Sequence, residues 1–217
     1  MGCDIHIVAE RKNPATGLYE PWGTFTERYG SFVQDGPKEF LNEIYEGRNY
    51  TLFGVLAGVR GGDDHMIAPP RGLPTDMSPE VAKYHEDVDH TPSYLTLREL
   101  LEFDWTTPIR MAGSIPWQHY LRFKCFAEDQ PQSWCGWTSI RTISEEEADA
   151  MRERMTPEER IATIRNNDDH GLYVGCEWDV PLFVRCKEFL STTIPRLLAF
   201  GRGYDPSDVR IVFHFDN

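Results

Sequence analysis

The sequence predicts an α+β fold: a single domain, a mainly antiparallel sheet that includes both terminal strands, and helices packed on it. Two observations carry this. The chain opens on Cys3-Asp4-Ile5-His6-Ile7-Val8 and closes on Arg210-Ile211-Val212-Phe213-His214-Phe215-Asp216-Asn217, two short runs rich in β-branched and aromatic residues. Between them, strand-like runs and capped helical segments are separated by Pro- and Gly-rich turns. Residues i and i+2 of a strand project from the same face. Asp4 and His6 therefore share one face, and His214 and Asp216 share another. The opposite faces, Cys3, Ile5, Ile7 and Ile211, Phe213, Phe215, are apolar, as a half-buried strand requires.

Taken in order, residues 3–11 and 18–22 flank Asn13-Pro14-Ala15-Thr16-Gly17, the signature of a β-hairpin. A glycine-rich aromatic loop covers 23–36, and a helix is expected over 38–46. Asn49 caps a second helix whose apolar residues Leu52, Phe53, Leu56 and Val59 recur at helical spacing. Residues 60–78 hold three prolines and three glycines, which exclude a regular element; loops of this length are usually functional or disordered. Ser78-Pro79-Glu80 opens a short helix, Asp89-His90-Thr91-Pro92-Ser93 breaks it, and Thr96 with Glu99 forms a capping box for the next. Residues 117–127 read as helical and 138–143 as a strand. Two charged helices start at Ser144 and Thr156, a helical insertion at about 144–167 within a domain of residues 1–217. Leu172 to Trp178 alternates as a strand. Residues 182–200 read as a long helix kinked or split by Pro195, and 208–216 as the last strand.

Composition narrows the function. With 22 Lys and Arg against 35 Asp and Glu, the net charge is −13, which argues against direct nucleic-acid binding and against an anionic membrane surface. No apolar run approaches the ~18 residues of a membrane span. Five cysteines, no C-x-x-C and no signal peptide before the first strand point to a reducing cytoplasm. Met1-Gly2 lacks the Ser or Thr that myristoylation wants at the sixth position, where His6 stands.

The chemistry-bearing residues form a few groups. Asp4-x-His6 and His214-x-Asp216 would bring two carboxylates and two imidazoles together if their strands pair, enough to ligate a cation or to serve as acid and base. Asp63-Asp64-His65 lies in the irregular loop and could complete a metal site with Asp4, His6 and His214. His90, after Asp87 and Asp89, is a further acid/base candidate, whereas Asp168-Asp169-His170 is explained by turn chemistry. Arg48 and Asn49 stand at a helix N-terminus that favours an anion, and Arg60 and Arg71 flank the loop. Trp134-Cys135-Gly136 lacks the second cysteine of a redox motif, and no nucleotide-binding or nucleophile-elbow motif occurs.

The stretches Met1-Gly2-Cys3-Asp4-Ile5-His6, Gly47-Arg48-Asn49-Tyr50-x-Leu52-Phe53-x-x-Leu56-Ala57-Gly58-Val59-Arg60, Pro70-Arg71-Gly72-Leu73-Pro74, Tyr94-Leu95-Thr96-Leu97-x-Glu99-Leu100-Leu101 and Asp208-Val209-Arg210-Ile211-Val212-Phe213-x-Phe215-Asp216-Asn217 resemble a family of bacterial and phage proteins with no established activity. The resemblance covers both ends and most of 47–101. Members carry D-G-H-S where this chain has Asp89-His90-Thr91-Pro92-Ser93, and favour Trp at the position of His214. The resemblance implies that Asp4, His6, His90 and Asp216 matter; it supplies no reaction.

These observations lead to an expected small cytoplasmic hydrolase, of a bacterium or of a phage-infected host, acting on a phosphorylated or nucleotide-like substrate. Asp4, His6, His90 and Asp216 would be catalytic, and Arg48, Asn49, Arg60 and Arg71 would hold the anionic part. A divalent cation on Asp4, His6, Asp64, His65 and His214 is the cofactor such donors suit. The alternatives are a binding protein that sequesters a nucleotide-like signal without turnover, and an acidic protein-binding or DNA-mimic inhibitor.

Overall fold

The computed structural model describes residues 2–28, 38–61, 65–136, 141–166 and 171–216. In chain order its elements are β1 (Asp4–Lys12), β2 (Tyr19–Pro21), β3 (Phe25–Arg28), β4 (Lys38–Leu41), α1 (Tyr50–Ala57), α2 (Pro79–Tyr84), β5 (His90–Thr96), α3 (Leu97–Glu102), β6 (Pro108–Pro116), α4 (Trp117–Phe126), β7 (Thr142–Ser144), α5 (Glu145–Arg154), α6 (Pro157–Asn166), β8 (Tyr173–Pro181), α7 (Leu182–Arg185), α8 (Ile194–Phe200) and β9 (Val209–Asp216). The fold is α+β, and both terminal strands lie in one antiparallel sheet. Among the described residues no helix is long and apolar enough to cross a membrane.

The chain divides into two compact units, residues 1–104 with 185–217 and residues 105–184. The second unit is built on a sheet of order β6-β8-β7, in which β6 runs antiparallel and β7 parallel to β8. Its core is Ile115, Trp117, Tyr120, Leu121, Val174, Trp178 and Val180, the alternate positions of the two long strands and one side of α4. Both helices expected between 144 and 167 belong to this unit, α5 opening on a Ser144–Glu147 capping box.

The first unit holds the sheet β2-β1-β9-β5. β1 and β2 form the expected hairpin, closed by Asn13 N–H donating to the Leu18 carbonyl, with Gly17 in the left-handed region at φ 71° that glycine enters without strain. β1 then pairs along its length with β9, placing Asp4 opposite Asp216, His6 opposite His214, Val8 opposite Val212 and Glu10 opposite Arg210. One face of this pair is apolar: Phe215 meets Phe53 of α1 edge-on at 5.3 Å. Asn49 caps α1 as expected, its side chain accepting from the Leu52 N–H.

The other face is not the open polar surface that a half-buried strand suggests. Val8 and Val212 pack with Leu41 and Val81, and with Leu73, Met77, Tyr84 and Tyr94 around them, so residues 73–84 lie across the strands. Below that apolar patch Arg210 is buried against Glu10 at 2.6 Å, with side-chain exposures of 5% and 0%. Arg210 also bonds Asp76 at 2.8 Å and stacks over the Tyr19 ring. Glu10 in turn accepts the Ser78 N–H at 2.9 Å, which anchors the long loop to the terminal strands.

Three expectations are corrected. Residues 38–41 form strand β4 rather than a helix, because they pair with β3 from Phe25↔Leu41 to Arg28↔Lys38. The segment 90–93 continues into β5 instead of ending as a turn, through a bulge against β9 with Thr91 at φ 50°. The 182–200 helix is interrupted after Arg185, resumes as a π-helical turn over Phe189–Thr193, and passes into α8 with Pro195 in its first turn. Proline cannot donate to the preceding turn, and the wider π register accommodates it. The strand expected over 138–143 falls partly on residues outside those described.

A buried pair with a partner removed leaves an uncompensated charge, which costs about 3–5 kcal/mol. Glu10→Gln and Arg210→Met are each expected to lower the unfolding free energy by roughly that amount in chemical denaturation; a loss under about 1 kcal/mol would contradict the role assigned to this pair.

Candidate functional site

The β1–β9 register brings the two terminal motifs into one patch. Asp4, His6, His214 and Asp216 project from the same face at the end of the pair that lies beyond Val8 and Val212. Asp216 accepts the Asp4 backbone N–H at 3.1 Å through Oδ1, and its Oδ2 lies 3.2 Å from His6 Nε2. The other ring nitrogen, Nδ1, lies 2.9 Å from Glu43 Oε1. The Tyr84 hydroxyl, from the end of α2, donates to the same Glu43 oxygen. His6 is thus an imidazole bridged between two carboxylates, 31% exposed. Its proton affinity rises accordingly: the Glu43 hydrogen bond, opposed by burial and aided by Asp216, lifts its pKa to about 9. At neutral pH it is an imidazolium.

Beneath it the chemistry reverses. The His6 ring stacks on His214 at 4.9 Å and 23°, and His214 Nδ1 lies 2.8 Å from His85 Nδ1. One of these rings donates and the other accepts, so the accepting ring at least is neutral. Burial, reinforced by the charged His6, lowers His214 to about 4, and deeper burial, reinforced by His214, lowers His85 to about 3. The site therefore couples one charged imidazole to two neutral ones, His214 stacked under His6 and His85 edge-on to His214.

Arg48 closes the open edge. Its guanidinium binds Asp4 through two hydrogen bonds and holds that carboxyl below its ordinary range. Both side chains are about half exposed, so the pair contributes little stability and can exchange partners.

Other expected site residues lie elsewhere. His90 stands opposite Phe215 in the β5–β9 register and stacks on that ring at 5.8 Å. The bulge at 90–93 turns it to the apolar face, away from His6, so it is not part of the cluster. Arg71 is occupied by Glu99 through both terminal nitrogens and lies over Tyr94, not at the strand ends. Asn49 caps α1 and donates to the Arg185 carbonyl at 2.7 Å, so it holds the helix rather than presenting its amide. Arg60 stands in the left-handed region just after α1. Asp63 and Asp64 lie outside the described residues, as does Asp168-Asp169-His170, and no described hydrogen bond or ion pair joins His65 to the cluster. Conversely, Glu43, Tyr84 and His85 belong to the site without having been picked out as a group. Val81, Tyr84 and His85 share one helical stripe, and this was the available signal.

For a metal ion, the donor set is occupied in a different sense. Both His6 nitrogens face carboxylates, Asp4 faces a guanidinium, and His214 Nδ1 faces a second imidazole. Among the described residues no group of three or more His, Cys, Asp or Glu side chains is placed to hold a metal ion. The site's fixed charges are three carboxylates against one imidazolium and one guanidinium. No protein-family model matches the chain, and no curated protein or solved structure matches it.

The opposed shifts predict how stability varies with pH. His6 holds its proton more tightly folded than unfolded, so its contribution is complete below about pH 6.5 and lost as pH climbs through about 9. His214 and His85 do the opposite: below about 6.5 the unfolded chain takes up protons that the folded chain refuses, and stability falls towards about 4 and 3. The lowered Asp4 adds to that acid limb. Stability is expected to peak near pH 6.5. His6→Gln should flatten the alkaline limb by about 1–2 kcal/mol, the solvent at a partly open site being allowed for, and His214→Phe the acid limb. Denaturant midpoints measured from pH 4 to 10 check this; an alkaline limb unchanged in His6→Gln contradicts it.

Proposed function

We propose that this chain is a hydrolase whose acid–base centre is His6 held between Glu43 and Asp216, acting on a phosphorylated or nucleotide-like substrate. The single observation behind this reading is the doubly bridged imidazolium at the solvent-open end of the terminal strands. His6 is charged, half-buried and in contact with two potential proton acceptors. Perturbed titratable groups of this kind cluster where proton transfer is needed.

In this reading the His6 imidazolium donates its proton to the leaving oxygen as the bond from phosphorus to that oxygen breaks. The Asp216 carboxylate, the more open of the two at 46% exposure, takes a proton from the attacking water as the new phosphorus–oxygen bond forms. Proton return from Asp216 to His6 across their 3.2 Å hydrogen bond restores the resting state. Glu43, fixed by Tyr84, keeps the second ring nitrogen protonated. Arg48 would anchor the anionic group by exchanging Asp4 for it, the exposed bidentate geometry being suited to a phosphoryl group. Arg71 and Asn49 take no part, since both are committed to other partners. Five free thiols suit a reducing, cytoplasmic setting.

General acid–base groups typically supply 10²–10⁴-fold in rate. Against a panel of phosphomonoesters, phosphodiesters and nucleotides, His6→Gln is expected to lose at least about 100-fold in kcat, Asp216→Asn a similar amount and Tyr84→Phe about tenfold or less. Turnover should fall above about pH 9 as the His6 proton is lost. Dialysis against a chelator should leave the rate unchanged, because His6 is engaged by carboxylates. No turnover of any member of the panel, or His6→Gln as active as wild type, overturns the reading. Loss on chelation that a divalent ion restores would reassign His6 as a ligand.

A further inference from the structure

A second feature lies beside the acid–base centre. The segment from Glu43 to Gly47 and the π-helical turn enclose a cleft of about 380 Å³, lined by Glu43, Tyr45, Glu46, Glu188, Thr192 and Arg196 among others. At its wall stands Tyr45, only 4% exposed, whose hydroxyl is buried without a hydrogen-bond partner among the described residues. Leaving a buried hydroxyl unpaired costs free energy comparable to a lost hydrogen bond, so such a group needs an explanation. Its position is built in. Phe189 holds the ring edge-on at 5.5 Å, and a Cβ on Gly47 would come within 2.4 Å of the hydroxyl oxygen, so any larger residue there would displace the ring. Burial, with the Glu188 charge nearby, raises the phenol to about 12, so it stays protonated and keeps its lone pairs as acceptors.

The charges around that hydroxyl select the ligand. Glu43 gives Oε1 to His6 and Tyr84, and its Oε2 has no partner among the described residues. The Glu188 carboxylate likewise has none, while Arg196 is tied to the Ile44 carbonyl at 3.2 Å. The cleft is thus rich in acceptors and negative in sum. An alkylammonium carries three donors, no acceptor and one positive charge, and is the simplest group that satisfies it.

We propose that the cleft formed by Tyr45, Glu43 and Glu188 is a binding site for a primary ammonium group. As part of a substrate this rests on the hydrolase reading above, because Glu43 serves both sites; the substrate class is then an aminoalkyl phosphoester, its phosphoryl group at Arg48 and His6 and its ammonium in the cleft. The π-helical turn has a purpose in this arrangement, since such turns recur at functional sites and its N-cap Glu188 and its Thr192 both line the cleft.

The test is calorimetric titration of the intact protein with n-butylammonium chloride, at ionic strength held constant by sodium chloride, and with sodium phosphate as the contrasting probe. Saturable binding of butylammonium is expected, weakened about tenfold or more in Glu188→Gln and in Tyr45→Phe, a scale set by the loss of one charge-assisted or buried hydrogen bond. Glu188 is exposed, so its variant is expected to keep the wild-type melting temperature. Gly47→Ala, which intrudes on the hydroxyl, should weaken binding with both carboxylates intact. No saturable binding, or equal binding in Glu188→Gln and Tyr45→Phe, overturns the proposal. Butylammonium binding without turnover of any phosphoester supports the cation site and overturns the hydrolase reading; turnover without butylammonium binding overturns the cation site alone.

Discussion

The antiparallel pairing of the first and last strands is the constraint on which the site depends. Its register places Asp4 opposite Asp216 and His6 opposite His214, and directly opposed residues in such a pair have their side chains close on one face. A one-residue slip would turn every polar group here into the apolar core and every core residue outward. The buried Glu10–Arg210 pair sits four residues further along the same ladder. With Asp76 and Ser78 attached to it, that pair both fixes the register and brings the loop that leads into α2 across the strands. Tyr84 and His85 reach the site because of it.

Charge at the site is distributed by the same packing. Two imidazoles are buried deeply enough to refuse protons, while the third, stacked on His214, gains two carboxylates and keeps its proton. The neutral pair matters to the charged one: a second cation directly beneath His6 would oppose its protonation, whereas a neutral ring tolerates it. The acid–base asymmetry thus follows from depth, with His85 lowest, His214 above it and His6 at the surface. Arg48 is about half exposed, against a carboxylate it can exchange.

How much of this can be read from the chain alone depends on the range of the interaction. The strand faces follow from period two, so the shared face of Asp4 with His6, and of His214 with Asp216, is legible in the sequence, as are the Asn49 cap and the Thr96–Glu99 capping box. The hydrophobic face of β1 and β9 is equally local. What fails is what tertiary packing decides. Glu43 follows β4, which reads as helical until β3 pairs with it. His90 reads as a neighbour of the cluster until a bulge with Thr91 in the left-handed region turns it to Phe215. Arg71 reads as an anion ligand until Glu99, whose capping-box role is plain in the sequence, also supplies its partner. Tyr84 and His85 carry a helical stripe with Val81, but nothing local says which surface that stripe will meet.

The most direct test is an NMR titration of the histidine side chains, following the ring nitrogens of His6, His85 and His214 across pH 3 to 11. The account predicts that His6 remains protonated at neutral pH and titrates near 9, with His214 and His85 neutral down to about 4 and about 3. A His6 midpoint near the ordinary 6.5, unaffected by Glu43→Gln and Asp216→Asn, would contradict the bridged imidazolium and with it the acid–base centre.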